Sequence, residues 1–299
     1  MRQILTEAQW HPLRAVHETR VRPWVEPRLD RMSRQERHPV EDFLFEYYQY
    51  RPGQLLRWQP GFGIALLGDS ARDYLLHKGF RETLAGITPD ASTLSPGRRT
   101  SVQWIRTLLR RTEARPPSLG CFGLHEWAMV YRAENIRHEK WPLRLSHAEI
   151  ARLVEQAGPR CTHFDAFRFF TPPARPLNKF QPTRETVPET EQPGCLHTNM
   201  DLYKWAFKLS PFSPSDLVAD AFALAREIRQ LDMRASPYDF SALGLAPVCI
   251  ETPEGRAEYE AAQRYFYELS LPLRRRLIAL CDDVLAETPD HLLTSASSS

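Results

Sequence analysis

The chain has 299 residues, and its hydrophobic content of 42% with 11% aromatics is ample for a packed core, which excludes a disordered protein. Its 39 basic residues nearly balance 37 acidic ones, which excludes a histone-like polycation but leaves room for a local basic groove. Proline is abundant (25) and glycine is scarce (13), a composition typical of many short helices separated by rigid turns.

The N-terminal region is predicted to contain two helices. Thr6 and Gln9 have the spacing of a capping box, which marks the start of the first helix. Pro12 and Pro23 fall within this helix and should interrupt or kink it, because proline removes a backbone hydrogen bond. The segment 38–48 predicts a second helix, since its apolar residues recur every three or four positions behind a proline.

Two further helices are predicted in the middle of the chain. The segment 101–111 carries apolar side chains at helical spacing. Ser146 and Glu149 form a second capping-box pattern, and Gly158 suits the end of the helix that they begin.

The clearest helical pattern lies near the C-terminus. Ser213 opens a helix whose apolar residues recur every three or four positions as far as Leu231. Thr252 opens a last long helix, which Pro272 should bend. The tail 288–299 ends in SASSS and is predicted to be disordered.

The segment 171–197 differs from the helical regions around it. Its six prolines exclude a long helix, and we interpret it as a long ordered loop that covers the helical body. No internal repeat and no change of composition divides the chain. We therefore expect a mainly α fold, with a single helical domain over 1–287, this proline-rich loop, and at most a small β element.

The cysteines and the apolar segments indicate a compartment. Five widely spaced cysteines, an odd number, do not form a disulfide framework, so a reducing environment is the simplest interpretation. The first residues contain no apolar segment of a secretory signal, and no stretch is long and apolar enough to cross a bilayer. We expect a cytoplasmic protein that makes no membrane contact.

Reactive residue types crowd into three short stretches, which are 121–132, 161–170 and 195–205. Each stretch contains a cysteine, a histidine, at least one carboxylate and an aromatic residue. Such residues are usually scattered, so their recurrence on both sides of the proline-rich loop suggests a shared purpose. We predict that the three stretches meet at one pocket.

Three carboxylates in these stretches are candidates for catalysis. Asp165 is the first, because the phenylalanines around it predict an apolar setting in which a carboxylate must find a partner or keep a proton. The structural alternative is a buried aspartate that caps a turn or pairs with Arg168. Glu126 and Asp201 follow, and their alternatives are a surface helix residue and a carboxylate near a helix N-terminus.

Three histidines, His125, His163 and His197, can each serve as a general acid, a general base or a ligand. Each follows a cysteine by two or four positions, but none of these spacings is the CxxC or HExxH pattern of known zinc sites. We therefore assign no metal ligands. The sequence also lacks a P-loop and a GxGxxG motif, so we expect no cofactor.

Aromatic and basic residues near the three stretches are candidates for substrate binding, because aromatic rings can stack on an extruded base and cations can hold phosphates. Core packing or a solvated surface position is the alternative for each of them. The aromatic candidates are Trp127, Tyr131, Tyr203 and Trp205. The polar and basic candidates are Arg168, Arg184, His197 and Lys204. A second candidate phosphate track consists of Arg98, Arg99, Arg106, Arg110 and Arg111.

Seven longer motifs together resemble a bacterial family whose members are commonly labelled 3-methyladenine DNA glycosylase. The resemblance spans roughly 38–285 and rests on HPVEDFLFEYY (38–48), CFGLHEWAMVYR (121–132), THFDAFRFF (162–170), PTRE (182–185), EQPGCLHTNMDLYKW (191–205), LDMRASPYD (231–239) and IETPEGRAEY (250–259). It implies hydrolysis of the N-glycosidic bond of an alkylated purine or another modified base in DNA. The role would be repair, or defence against phage with modified DNA, with no obligate protein partner.

The chemistry that the resemblance implies gives each candidate a role. Asp165, with Glu126 in reserve, would stabilise positive charge on the sugar and activate water, and a histidine would assist the leaving base. Two other functions stay open, which are a metal-dependent hydrolase that uses the cysteines and histidines, and a nucleic-acid-binding protein without catalysis.

Overall fold

Residues 3–287 are described by the structure, a computed structural model, and the predicted disordered tail 288–299 lies outside them. Helices make up 58% of the chain and strands 6%, so the prediction of a mainly α domain with at most a small β element is confirmed. The helices of the described chain are α1 (Glu7–Ser33), α2 (Phe43–Tyr47), α3 (Pro52–Leu56), α4 (Pro96–Glu113), α5 (Leu124–Val130), α6 (His147–Ala157), α7 (Phe164–Phe167), α8 (Val187–Thr190), α9 (Leu196–Lys208), α10 (Ser215–Arg234) and α11 (Pro253–Ala286).

Helix α1 runs through its prolines, so the expected interruption is wrong. Pro12, Pro23 and Pro27 all lie on the exposed side of the helix. The carbonyl groups that lose their hydrogen-bond donors there face solvent, where water can replace the missing N–H. The opposite side is held by buried residues, among them Trp10 and Val21. Pro272 is likewise exposed within the continuous helix α11.

Helix α2 is much shorter than the predicted segment 38–48. The reason is Asp42, whose side chain is buried and accepts a hydrogen bond from the backbone N–H of His38 at 2.8 Å. Arg28 of α1 binds the same carboxylate at 2.8 Å, and Arg31 contacts it as well. A side chain that bonds its own backbone in this way competes with the helix, so the segment forms a turn until residue 43.

The other predicted helix boundaries are close to the observed ones, because side-chain caps define them. The N–H of Glu149 donates to Ser146 Oγ at 3.3 Å and the Glu149 side chain accepts from the Ser146 N–H at 2.9 Å, as in a capping box. Gly158, at φ +61°, ends α6. Thr252 Oγ1 accepts from the third residue of α11, which starts where the sequence predicts.

A small sheet lies beside the helical body. Its strands are β1 (Gln3–Leu5), β2 (Ile64–Leu66), β3 (Phe80–Thr83) and β4 (Gly86–Pro89). They lie in the order β1-β2-β4-β3, with β1 parallel to β2 and the other pairs antiparallel. A separate small core under this sheet contains Trp10 and Trp58, stacked with ring centroids 6.0 Å apart.

The main core is built around α9, which packs against both α10 and α11. Ten of its thirteen residues are buried, including the polar residues His197, Asn199 and Asp201. The loop that precedes α9 contains only short helical turns, as its prolines predict. The buried polar side chains of α9 need hydrogen-bond or charge partners inside the protein. The partners come from neighbouring segments, so the candidate residues lie close together around α9.

Candidate functional site

The three stretches rich in reactive residues do come together, on α5, α7 and α9. The rings of His125 and His197 lie 4.4 Å apart, and those of His163 and His197 lie 5.3 Å apart. A small cavity of about 20 Å³ at this junction is lined by residues of all three stretches, including Cys121 and Cys161. All five cysteines are free thiols. The three stretches therefore meet, as the sequence predicts, but at this small cavity and not around one large cleft.

Asp201 is the buried anchor of one polar cluster. Its Oδ1 accepts a hydrogen bond from the Tyr48 hydroxyl at 2.6 Å, and its Oδ2 lies 3.0 Å from the Lys204 ammonium. Asp201 and Lys204 sit one turn apart on α9, so the helix itself sets this ion pair. Burial alone would raise the pKa of Asp201, but the Lys204 charge and the facing His163 outweigh it and hold that pKa well below its usual range.

Lys204 joins Asp201 to Asp165. Its Nζ lies 3.2 Å from Asp165 Oδ2, while Arg168 Nε lies 3.2 Å from Asp165 Oδ1. The Asp165 side chain is 32% exposed. The apolar setting that the sequence predicts for Asp165 is therefore wrong, and the residue is an ion-paired carboxylate at a solvent-accessible surface.

Glu191 is a residue that sequence reasoning missed. It precedes the turn that starts α9, and it is only 3% exposed. Its Oε1 lies 3.5 Å from Nε2 of His163. Burial raises the pKa of Glu191 to about 7, and the His163 charge offsets only part of this effect. Nothing in the local pattern EQPG signals such burial, because segments distant in sequence produce it.

His163 faces two carboxylates from inside the protein. Its Nε2 lies 3.5 Å from Glu191 and 3.4 Å from Asp201. Burial lowers the pKa of this imidazole, but the two carboxylates outweigh burial and raise it above its usual value. At 1% exposure, and outside the lining of the large cleft described below, His163 cannot reach a substrate directly.

A second buried cluster lies on the other side of His197. His125 Nε2 is 3.0 Å from Asp232 Oδ1, and Arg229 bonds Asp232 Oδ2 at 2.9 Å and Glu126 Oε1 at 3.1 Å. The Glu126 carboxylate is thus ion-paired with Arg229 in the interior. Neither Glu126 nor His125 lines the large cleft described next, so the structure does not bring them to the same surface as Asp165.

A cleft of about 860 Å³ opens beside Asp165 and Glu191, both of which line it. Lys204 and Trp205 form part of its wall, and Trp205 is covered by the Lys204 ammonium at 4.6 Å from the ring centroid. Trp104 of α4 also lines the cleft, 5.4 Å from Trp205, and is 41% exposed. The sequence singled out Trp205 but not Trp104, which is the more accessible ring.

Three predicted stacking residues lie in the core instead of the cleft. Trp127 is fully buried, and its indole N–H donates to the backbone carbonyl of Ala235 at 2.8 Å. Tyr203 is fully buried as well, and Tyr131 is 3% exposed, with its hydroxyl on Glu155 at 2.7 Å. Neither face of these rings is open to a base. The prediction that they bind substrate is wrong in this structure, and core packing explains them.

The basic candidates divide into cleft residues and residues paired elsewhere. The cleft cations are Arg98, Arg184, Lys204 and Lys208. Arg168 is exposed and lies over Phe169, 4.0 Å from its ring centroid, beside Asp165. In the second predicted track, Arg106 and Arg110 contact Asp282 and Arg111 contacts Glu189, so these charges are neutralised. Of the cleft cations, Arg98, Arg184 and Lys208 have no carboxylate partner among the ion pairs of residues 3–287.

Two triads in the described chain have ligand atoms close enough to share a metal ion. His125, His197 and Asp232 form one, and His163, Glu191 and Asp201 form the other, each with its ligand atoms within 4.8 Å of one another. All six side chains are buried. No CxxC or HExxH spacing marks either triad, which explains why the sequence pattern did not indicate them.

No protein-family model, no curated protein and no solved structure matches this chain. Among residues 3–287, no helix has the combination of length and apolar character that crossing a bilayer requires.

Proposed function

We propose that this protein is a DNA glycosylase, which hydrolyses the N-glycosidic bond of a modified base. The observation that carries the proposal is the pairing of two different carboxyl groups in one cleft. Glu191 has a pKa of about 7 and can keep a proton at neutral pH, whereas Asp165 is held between two cations. An acid that keeps its proton beside a second carboxyl group is the arrangement that glycosidic bond cleavage uses.

The two carboxyl groups have complementary tasks in this reaction. Breaking the bond between base and deoxyribose produces positive charge on the sugar, which the Asp165 carboxylate stabilises while it orients the attacking water. Glu191 donates its proton to the leaving base. His163, 3.5 Å from Glu191, supports proton exchange from the interior side. Glu191 thus takes the acid role that the sequence suggested for His163 or His125.

The wall of the cleft suits a nucleotide. Arg98, Arg184 and Lys208 supply positive charge for backbone phosphates, and none of them has a carboxylate partner among the ion pairs within the described residues. Trp104 and Phe164 offer aromatic surface on which a base can stack. This division between cations for phosphate and aromatics for base is the usual one in single-stranded and flipped-base recognition.

The size of the cleft favours a bulky substrate. Its volume of about 860 Å³ lies near the upper end of the range of about 300–1,000 Å³ that ligand pockets occupy. An extruded nucleotide with a large substituent on its base would fill more of this space than a methylated purine. Base removal from hypermodified phage DNA is therefore the preferred form of the proposal, with alkylated DNA as the second substrate to test.

The direct test is incubation of the protein with alkylated DNA and with hypermodified phage DNA, followed by mass spectrometry of freed bases and counting of abasic sites. The wild-type protein should release a base from at least one of them. Asp165→Asn should bind the same DNA but release base at least 100-fold more slowly, because it loses the carboxylate that faces the sugar. Lys204 keeps its partner Asp201 in this variant, so the fold is retained.

The exposed Asp69→Asn variant, at a position outside the cleft lining, is the matched control and should release base at the wild-type rate. DNA binding without release of any base would contradict the glycosylase and favour a non-catalytic nucleic-acid-binding protein. Wild-type turnover in Asp165→Asn would contradict the role of this carboxylate.

A further inference from the structure

We propose that His125, His197 and Asp232 bind a divalent transition-metal ion of the Zn²⁺ type behind the cleft. The three residues belong to α5, α9 and α10, and their ligand atoms lie within 4.8 Å of one another. Asp232 is fully buried, and His125 and His197 are 6% and 9% exposed. This site is separate from the acid pair of the cleft, so the inference does not depend on the proposed glycosylase activity.

The geometry of His125 and Asp232 is the first argument. Nε2 and Oδ1 lie 3.0 Å apart, within hydrogen-bond distance, yet among the described residues neither atom makes a hydrogen bond with acceptable direction. Ligand atoms at about 2.0–2.2 Å from one zinc ion are themselves separated by about 3.0–3.5 Å. Two buried atoms at this separation therefore have the spacing of two ligands of one ion.

The charge of the surrounding interior is the second argument. Four buried carboxylates are grouped around the three histidines, and these are Glu126, Glu191, Asp201 and Asp232. The permanent cations in direct contact with them are Arg229 and Lys204. The next buried cation, Arg274, bonds the amide oxygen of Asn199 instead. The buried carboxyl groups thus outnumber the permanent cations that contact them, which is a setting that accommodates a bound cation.

The donor types identify the class of metal. Two imidazoles and one carboxylate form a set that zinc and ferrous iron accept, whereas Mg²⁺ and Ca²⁺ prefer oxygen ligands alone. Oδ2 of Asp232 is held by Arg229 at 2.9 Å, and such a contact orients a ligand carboxylate from outside the coordination sphere. The 20 Å³ cavity lined by His125 and His197 is large enough for one water molecule as a fourth ligand.

The second triad is less suitable for a metal. In it, Oδ2 of Asp201, the oxygen that faces His163, is already bonded to the Lys204 ammonium at 3.0 Å. A metal ion at that oxygen would be placed beside a fixed positive charge. Among the ion pairs of residues 3–287, Oδ1 of Asp232 contacts no cation apart from the imidazole of His125.

The experiment is calorimetric titration of EDTA-treated full-length protein with Zn²⁺, and with Mg²⁺ as a second probe, in the absence of DNA. We expect one equivalent of Zn²⁺ to bind and Mg²⁺ not to bind. His197→Gln should weaken Zn²⁺ binding at least tenfold, because it removes one imidazole ligand. His163→Gln is the matched control from the rival triad and should change the affinity by less than threefold.

Thermal unfolding gives a second measurement that also checks the fold of the variants. Zn²⁺ should raise the melting temperature of the wild-type protein and of His163→Gln, but not of His197→Gln. The three proteins should be folded in EDTA, and His125→Gln replaces His197→Gln if that variant does not fold. No Zn²⁺ binding at 100-fold excess, or loss of binding in His163→Gln but not in the variants of the first triad, would overturn the assignment. Base release plays no part in either readout, so failure here is distinct from failure of the glycosylase.

Discussion

Replacement of Glu191 by glutamine tests the electrostatics of the cleft most directly. Glutamine has nearly the same shape as a protonated glutamate, but it has no acidic proton to release to solvent or to a leaving group. Burial raises the pKa of Glu191 from 4.5 to about 7, so the folded protein holds a proton on this residue that the unfolded chain releases at lower pH. The substitution should therefore change how stability depends on pH, as well as the rate of base release.

The size of the effect on stability follows from the two pKa values. Each pH unit between them is equivalent to about 1.4 kcal/mol, so the proton contributes about 3 kcal/mol to folding. Because the pKa is higher in the folded state, this contribution is fully present below pH 4.5 and is lost as the pH rises through about 7. The pKa of about 7 already reflects the imidazole of His163 at 3.5 Å, whose positive charge stabilises the ionised carboxylate and limits the rise caused by burial.

The assay is urea unfolding of the wild-type protein and of Glu191→Gln at pH values from 4.5 to 8. The free energy of unfolding of the wild type should fall relative to that of the variant by about 2–3 kcal/mol across this range. On a DNA substrate, wild-type base release should decline above pH 7, and Glu191→Gln should be at least 100-fold slower at pH 6.

Glu189→Gln is the control, because Glu189 lies two residues away but is exposed, 55% by its side chain. It should follow the wild-type pH dependence of stability. If the stability curves of the wild type and Glu191→Gln run parallel from pH 4.5 to 8, Glu191 is ionised in the folded protein at all these pH values. The reasoning that makes it the acid of the cleft would then be refuted.

Two further predictions concern the cleft wall and the packing of α11. Trp104→Ala should weaken binding of single-stranded DNA by about 1–3 kcal/mol, measured by fluorescence anisotropy, because a stacking surface is lost. The control Tyr265→Ala, at a more exposed ring outside the cleft, should not weaken binding. Equal losses in both variants would exclude a specific stacking role for Trp104. Gly255→Ala should destabilise the protein by about 1–3 kcal/mol in urea unfolding, since its Cβ would collide with the carbonyl of Cys249. Gly97→Ala, where nothing lies within 4 Å, should be neutral or stabilising, and an equal loss there would contradict the steric argument.

Helix positions could be predicted where a local cap or a long apolar repeat defines them. Ser146 and Thr252 mark helix starts that the structure confirms. The shortening of α2 could not be predicted, because it depends on Asp42 being bound by arginines of α1 more than ten positions away. The four strands are three or four residues long, too short for an alternating pattern to be recognised.

The site could be predicted only in outline. The crowding of cysteines and histidines in three stretches indicated that α5, α7 and α9 meet, and Asp165 and Lys204 do reach the cleft. Tertiary packing decides which aromatic rings face that cleft, and the local sequence does not show it. The sequence pattern therefore indicated Trp127, which is buried, and not Trp104, which lines the cleft. Glu191 was missed for a related reason, since its burial comes from other segments and leaves no local signal.

Helix α9 carries residues of both the cleft and the buried histidine cluster, and α10 and α11 pack against it. Because ten of its residues are packed on several sides, its side chains cannot adjust independently when a ligand arrives. Reactive groups on such an element are preorganised, so little energy is spent on reorienting dipoles during the reaction. For the proposed glycosylase, a consequence is sensitivity at a distance: loss of a single methylene at the α9–α10 contact can displace Lys204 and slow base release, although no group that touches the substrate has been altered.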